Sequence, residues 1–203
     1  MEMFDSVVVA YGPSTFDLAM PIRAMLELYR LRVHAYYCCQ KQNLLDVLAG
    51  KVPAGDYVVL VFGGGHDDDL DRGGCISCPR LVEPVGGEWR STDVKLFPED
   101  IRRTVNLAGR TVLCIGCNAG WEPLAKAFLD SGCRAYIAPT ASIDQNSTTM
   151  FACAFFHYLM ADPPDRLPDR EAVERASHID SQTASYRYFG MPDADRSSGD
   201  EGD

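Results

Sequence analysis

Positive charge is scarce in this sequence. Nineteen Lys and Arg stand against 29 Asp and Glu over 203 residues, a formal net charge of −10. Nucleic-acid binding needs clustered Lys and Arg against the phosphates, so no nucleic-acid partner is expected. Long apolar runs are missing too. None reaches the roughly 18 residues that a membrane-spanning helix needs, so no membrane span is expected. The opening, MEMFDSVVVAYG, has no basic segment before a long apolar one and does not read as a secretory signal. The expected location is therefore the cytoplasm. Thiols stay reduced there, so the eight cysteines do not read as a disulfide framework. No internal repeat is found.

What remains is an ordinary globular composition, 46% hydrophobic and 24% charged. The length suits one domain with a full core, expected over residues 1–190. Residues 191–203 form an acidic, polar tail that is expected to be disordered. Apolar runs read as strands at 6–12, 32–39, 56–65, 111–116 and 133–140. Helical spacing and capping signals place helices at 14–30, 42–50, 98–109, 122–132, 146–160 and 168–178. VEPVGGEWR reads as a hairpin around Gly86-Gly87. Near-continuous apolar strands alternating with helices predict an α/β fold: a three-layer sandwich with a mostly parallel sheet covered on both faces. In such sheets the ligand site lies at the carboxyl ends of the strands.

Two strand ends carry chemistry. VVLVFGGGH ends in His66, and TVLCIGCNAG ends in Cys117. Glycines let the backbone turn sharply and approach a substrate closely. The thiolate is the nucleophilic form of cysteine, and an adjacent imidazole promotes it. Glycine N–H groups nearby suit an oxyanion hole. Together these features predict a Cys–His dyad for acyl transfer. Each residue also has a plainer reading, since a loop histidine is commonly just solvated and a cysteine after a strand is commonly core. Cys38, Cys39, Cys114, Cys133 and Cys153 lie in or beside apolar segments and read as core.

Two rival chemistries stay open. CISC at 75–78 and CIGC at 114–117 give CxxC twice, a zinc pattern at shorter spacings. Cys75 and Cys78 alone could bind a metal or form a redox pair, as in a zinc-binding interaction module. GCNAG also resembles a nucleophile elbow, which would suit a glutaminase-like thiol amidohydrolase. Such enzymes keep their histidine downstream of the cysteine. Here His157 sits inside an apolar helix and reads as packed, and His178 lies near the end of the sequence.

These motifs, over roughly residues 5–180, resemble the caspase-like cysteine peptidase clan, especially its bacterial CHAT-type members. VVLVFGGGH matches the strand and His-bearing turn, and TVLCIGCNAG the strand that delivers the nucleophile. WEPLAKAFLDSGCRAYIAPTASID, TTMFACAFFHYLM and EAVERASH match the elements that follow. The resemblance implies a caspase-like sheet and a peptide or protein substrate without any cofactor, with a regulatory protein partner as a further option. It implies His66 as general base or acid, Cys117 as nucleophile, and the N–H groups of Gly65 and Cys117 as oxyanion donors. Asp144 matches a position that lines the first specificity pocket of relatives cutting after Arg or Lys. A carboxylate there would pair with a basic side chain, although Asp144 also reads as the cap of helix 146–160. Asn118 is expected to touch substrate. One departure stands out: where the clan has His-Gly, this chain has HDDD. Asp67, Asp68 and Asp69 either bind a basic group or cation or form a solvated acidic loop. An inactive relative on the same scaffold is a further alternative.

Overall fold

Strand by strand, the burial pattern sets the layers. The computed structural model describes residues 6–53, 55–162 and 164–190; the tail expected at 191–203 lies outside them. Every residue is buried in β1 (Ser6–Tyr11), β3 (Tyr57–Val61) and β7 (Thr111–Cys114). Successive side chains point to opposite faces of a strand, so burial throughout means that both faces are covered. Val8, Ala10, Val58, Leu60, Val112 and Cys114 share one core. On that face lie α2 (Lys41–Leu48), α4 (Pro98–Thr104) and α5 (Glu122–Asp130). Val7, Val9, Val59, Val61 and Leu113 share the other. It is closed by α1 (Phe16–Leu28), α6 (Gln145–Met160) and α7 (Asp169–Ala176). This is the expected three-layer α/β sandwich.

Three further strands complete the main sheet: β2 (Arg32–Tyr37), β8 (Ala135–Pro139) and β9 (Tyr186–Gly190). The six strands run in the order β2-β1-β3-β7-β8-β9. All neighbours pair in parallel except β8 and β9, which are antiparallel. The sequence reading missed β9. Its Tyr186 is buried through a stack on Phe151, with ring centroids 3.5 Å apart, a tertiary contact that no local pattern announces. A second sheet joins β4 (Gly63–Gly64), β5 (Ile76–Val85) and β6 (Glu88–Leu96). The hairpin turns at Gly86-Gly87, where φ is 61° and 86°, a backbone that glycine adopts without strain. Its strands run well beyond the stretch read from sequence. Helix α4 is shorter than expected, because Val105 turns extended and enters the core while the Asn106 N–H bonds to the Leu48 carbonyl.

At the amino edge of the sheet, Asp169 anchors α7. It accepts from Tyr57 Oη at 2.5 Å and Thr111 Oγ1 at 2.9 Å, and pairs with Arg134 at 3.3 Å. Asp169→Ala would strand these partners in a half-dry site, at about 2–3 kcal/mol. Thermal denaturation should show Tm lower by about 5–10 °C; an unchanged Tm would mean that the anchor contributes nothing.

Candidate active site

The parallel pairing of β3 with β7 brings their carboxyl ends side by side, with Leu60 opposite Cys114 and the Ile115 N–H bonded to the Leu60 carbonyl at 3.1 Å. Beyond that point the two chains touch through glycine backbone. A Cβ on Gly64 would lie 1.5 Å from the Cys117 carbonyl oxygen, and one on Gly116 would lie 2.6 Å from the Gly63 carbonyl oxygen. Only glycine permits this approach. The turn that ends in His66 is therefore packed on the turn that carries Cys117.

His66 is exposed and takes the N-cap position before α3 (Asp67–Leu70), a short element that the sequence reading did not resolve. Its backbone N–H donates to Asp69 Oδ2 at 3.0 Å. Asp69 is buried, and both of its oxygens lie 2.8 Å from Lys95 Nζ on β6. The bonds from Lys95, with the His66 N–H adding, hold the Asp69 carboxyl below its usual range despite burial. The triple-aspartate turn therefore divides: Asp69 is spent on structure, whereas Asp67 and Asp68 are exposed.

Cys117 is half-buried. Its sulfur lies 3.4 Å from both the N–H and the carbonyl of Ile143, in the turn after β8. Among the described residues, the N–H groups of Gly65 and Cys117 donate to no protein acceptor. The N–H groups of Asn118, Ala119 and Gly120, next along the chain, are all paired. The two groups expected to hold an oxyanion are thus unengaged by protein.

Asn118 is buried rather than presented to solvent. Its Nδ2 donates to the Gly65 carbonyl at 3.2 Å and its N–H to the Ala141 carbonyl at 3.1 Å. Asp144 is exposed and caps α6. It accepts from the Ser147 N–H at 2.8 Å and from Ser147 Oγ at 3.1 Å. The Ser147 backbone bond is the main reason that its carboxyl is held below the usual range. Ser147 Oγ also lies 2.8 Å from Asp180, whose carboxylate accepts the N–H groups of Gln182 and Thr183. This polar web fixes the Ile143–Asp144 turn against the Cys117 sulfur. Lys95, Ile143 and Asp180 were not found by sequence reading, and no local motif marks them.

Burial makes Cys38, Cys75, Cys78, Cys114 and Cys133 poor nucleophiles. Cys75 lies under the His66 turn and is pushed up to about 11, first by burial and then by the Asp69 charge. Burial, the largest cause in each, takes Cys38 and Cys133 to about 12 and Cys114 to about 11, and raises Cys78 well above the thiol range. Cys39 and Cys153 are half-buried rather than core as expected. Cys75 neighbours Asp69, whereas Cys78 belongs to the core with Cys38 and Cys114. Among the described residues no three His, Cys, Asp or Glu side chains are grouped to hold a metal ion. His157 is not packed. It falls outside the buried stripe Phe151, Ala152, Phe155, Phe156 of α6, is exposed, and pairs with Tyr29 Oη at 2.5 Å. His178 is exposed after α7 and bonds its own helix at the Glu174 carbonyl. A surface hollow there, lined by Leu167, Glu171, Glu174, Arg175 and His178, includes none of the dyad residues.

No family model matches the chain, and no curated protein matches it. Among solved structures, it is similar to Saccharomyces cerevisiae separase in complex with securin, with TM-score 0.55 and 12% identity. That match covers 93% of this chain and 12% of the other. It is also similar to the complex of Porphyromonas gingivalis RgpB pro- and mature domains, with TM-score 0.57 and 13% identity, over 93% of this chain and 47% of the other. The chain therefore spans less than half of either. Both neighbours are caspase-like cysteine peptidases, and the fold of this chain is caspase-like. Among the described residues, no helix is long and apolar enough to cross a membrane.

Proposed function

We propose that this chain is a caspase-like cysteine peptidase unit that uses His66 and Cys117. The observation that carries the proposal is the packing of the two glycine turns, Gly64 on the Cys117 carbonyl, beside two N–H groups that no protein group engages. In this reading the Cys117 sulfur attacks the scissile carbonyl carbon while His66 takes the thiol proton. The carbonyl oxygen becomes an oxyanion between the Gly65 and Cys117 N–H groups. His66 returns the proton to the departing amine, leaving a thioester on Cys117. Water, deprotonated by His66, then attacks the thioester and frees the acid. None of these steps needs a cofactor.

A basic side chain before the scissile bond fits the surroundings. Exposed Asp144 is one residue from Ile143, which touches the Cys117 sulfur, and exposed Asp67 and Asp68 follow His66 directly. Carboxylates there would pair with Arg or Lys. The securin-bound state of separase is the ground for extending the reading to a regulatory protein partner.

The test pairs turnover with labelling. Fluorogenic peptides ending in Arg or Lys should be cut at least about 10-fold faster than acidic ones, the factor that one charged pair of about 1.4 kcal/mol supplies. At pH 7.5, iodoacetamide should modify Cys117 first. Cys38, Cys75, Cys114 and Cys133 should stay intact, because thiols raised to about 11–12 remain protonated until the pH approaches those values. Peptide mapping that finds Cys39 or Cys153 modified before Cys117, with no peptide cut, would defeat the reading.

A further inference from the structure

Asn118 follows the proposed nucleophile and has φ of 54°. Only three non-glycine residues among those described have positive φ, the others being Arg30 and Arg80. Those two are exposed. Arg30 lies just beyond the end of α1, and Arg80 lies at the irregularity in β5, so chain reversal and a bulge account for them. Asn118 is buried at 6% exposure. Asparagine tolerates the left-handed region better than most residues, and Asn118 is the third residue of the turn closed by the Ala119 N–H on the Gly116 carbonyl at 3.2 Å, a position where positive φ is common. What sets Asn118 apart from Arg30 and Arg80 is that its polar side chain is buried and bonded to a neighbouring turn.

The contacts of Asn118 show what the conformation achieves. Its side chain donates to the Gly65 carbonyl and its backbone N–H to the Ala141 carbonyl. One residue thus joins the turns after β3, β7 and β8. The Gly65 carbonyl belongs to the peptide unit that leads into His66. The other polar end of that same unit, the His66 N–H, donates to Asp69 Oδ2, and Asp69 is held by Lys95. The Gly65–His66 peptide is therefore gripped at its oxygen by Asn118 and at its N–H by Asp69. With both ends fixed, the plane cannot flip. Holding the plane restrains ψ of Gly65 and φ of His66, the two torsions that join the carrier of one candidate oxyanion N–H to the carrier of the imidazole.

We infer that Asn118 is a positioning residue, buried behind the dyad, that fixes the Gly65–His66 peptide so that His66 and the Gly65 N–H serve Cys117. This rests on the hydrolase reading above and replaces the expectation that Asn118 touches substrate. No bond to substrate is assigned to it.

Two substitutions test the inference. Asn118→Gly keeps the left-handed backbone at no steric cost while removing the side-chain bond. The gain and loss roughly cancel, so Tm should stay within about 3 °C. The value of kcat should fall about 10–100-fold, the effect of a catalytic group displaced by about an ångström, with KM within about 2-fold. Asn118→Asp adds a pH signature. Burial against a carbonyl oxygen disfavours the charged carboxylate, and only the protonated acid can donate to Gly65. The ratio of variant to wild-type kcat should therefore fall as pH rises and the acid ionises. A residue that served stability alone would move Tm and leave kcat and this ratio unchanged.

Iodoacetamide alkylation of Cys117 separates the possible failures without needing a substrate. If His66→Ala and Asn118→Gly both slow alkylation, the inference stands. If only His66→Ala slows it, or if Asn118→Gly keeps wild-type kcat, the dyad survives and the role of Asn118 is refuted. If neither slows it, the dyad reading fails and the role of Asn118 fails with it.

Discussion

Cys117→Ala and His66→Ala should each abolish peptide hydrolysis, by on the order of 10^4-fold or more in kcat. The reason is chemical. Without the sulfur there is no thioester path. Without the imidazole there is no group to take the thiol proton or to give one to the leaving amine. Because the two act as one unit, the double variant should be scarcely slower than either single variant. Single-turnover and steady-state rates on one basic peptide would measure all three. Multiplicative losses would mean that the residues act separately. Folding should survive: His66 is exposed and Cys117 is half-buried, so neither substitution opens a large cavity. Unchanged circular dichroism would separate lost chemistry from lost structure.

Gly64→Ala should be the most disruptive alanine substitution among the described glycines. Its Cβ would stand 1.5 Å from the Cys117 carbonyl oxygen and 2.7 Å from the Cys117 nitrogen. Both are backbone atoms, held by the parallel pairing of β3 and β7, and neither can swing aside as a side chain would. The chain must instead part the two turns, at about 3 kcal/mol or more, or about 6–12 °C in Tm. Hydrolysis should be lost along with the joined turns. Gly86→Ala is the control. Nothing lies within 4 Å of its added carbon, but φ is 61°, so only the left-handed penalty of about 1 kcal/mol applies and activity should persist. If Gly64→Ala melted no lower than Gly86→Ala, the backbone contact between the turns would be refuted.

Much of the candidate site could be read from the sequence because its residues sit at the ends of clear apolar strands. VVLVFGGGH and TVLCIGCNAG each pair an unbroken apolar run with glycines and one reactive side chain. The rule that α/β sheets place ligands at their carboxyl edge then brings His66 and Cys117 to one side before strand order is known. The supporting residues were not readable in this way. Lys95 lies on a strand of the second sheet, and nothing in TDVKLF says that its amine reaches Asp69. Asn118 was expected to touch substrate, but it is buried. Its side chain bonds to the Gly65 carbonyl of another turn, a partner that the local sequence does not name. Asp144 could be read as a cap or as a pocket residue. The cap is present, and its exposure leaves the pocket role to the substrate tests.

The sequence by itself determined most of the main-sheet strands and the helices around them, and that both faces of the sheet are covered. Short apolar runs such as VVLV and TVLC are rich in β-branched residues and end at glycines, local features that favour a strand buried on both faces. It also suggested the type of chemistry proposed here, since reactive side chains and the glycines beside them are written together. Only the tertiary structure decided the strand order β2-β1-β3-β7-β8-β9, the antiparallel β9, and the division of the three aspartates into one structural and two exposed. It alone joined Asn118 to Gly65. These features rest on hydrogen bonds and ring contacts between segments far apart in the chain. Their partners are selected by which strands lie together, and a residue pattern carries no record of its neighbours across a sheet.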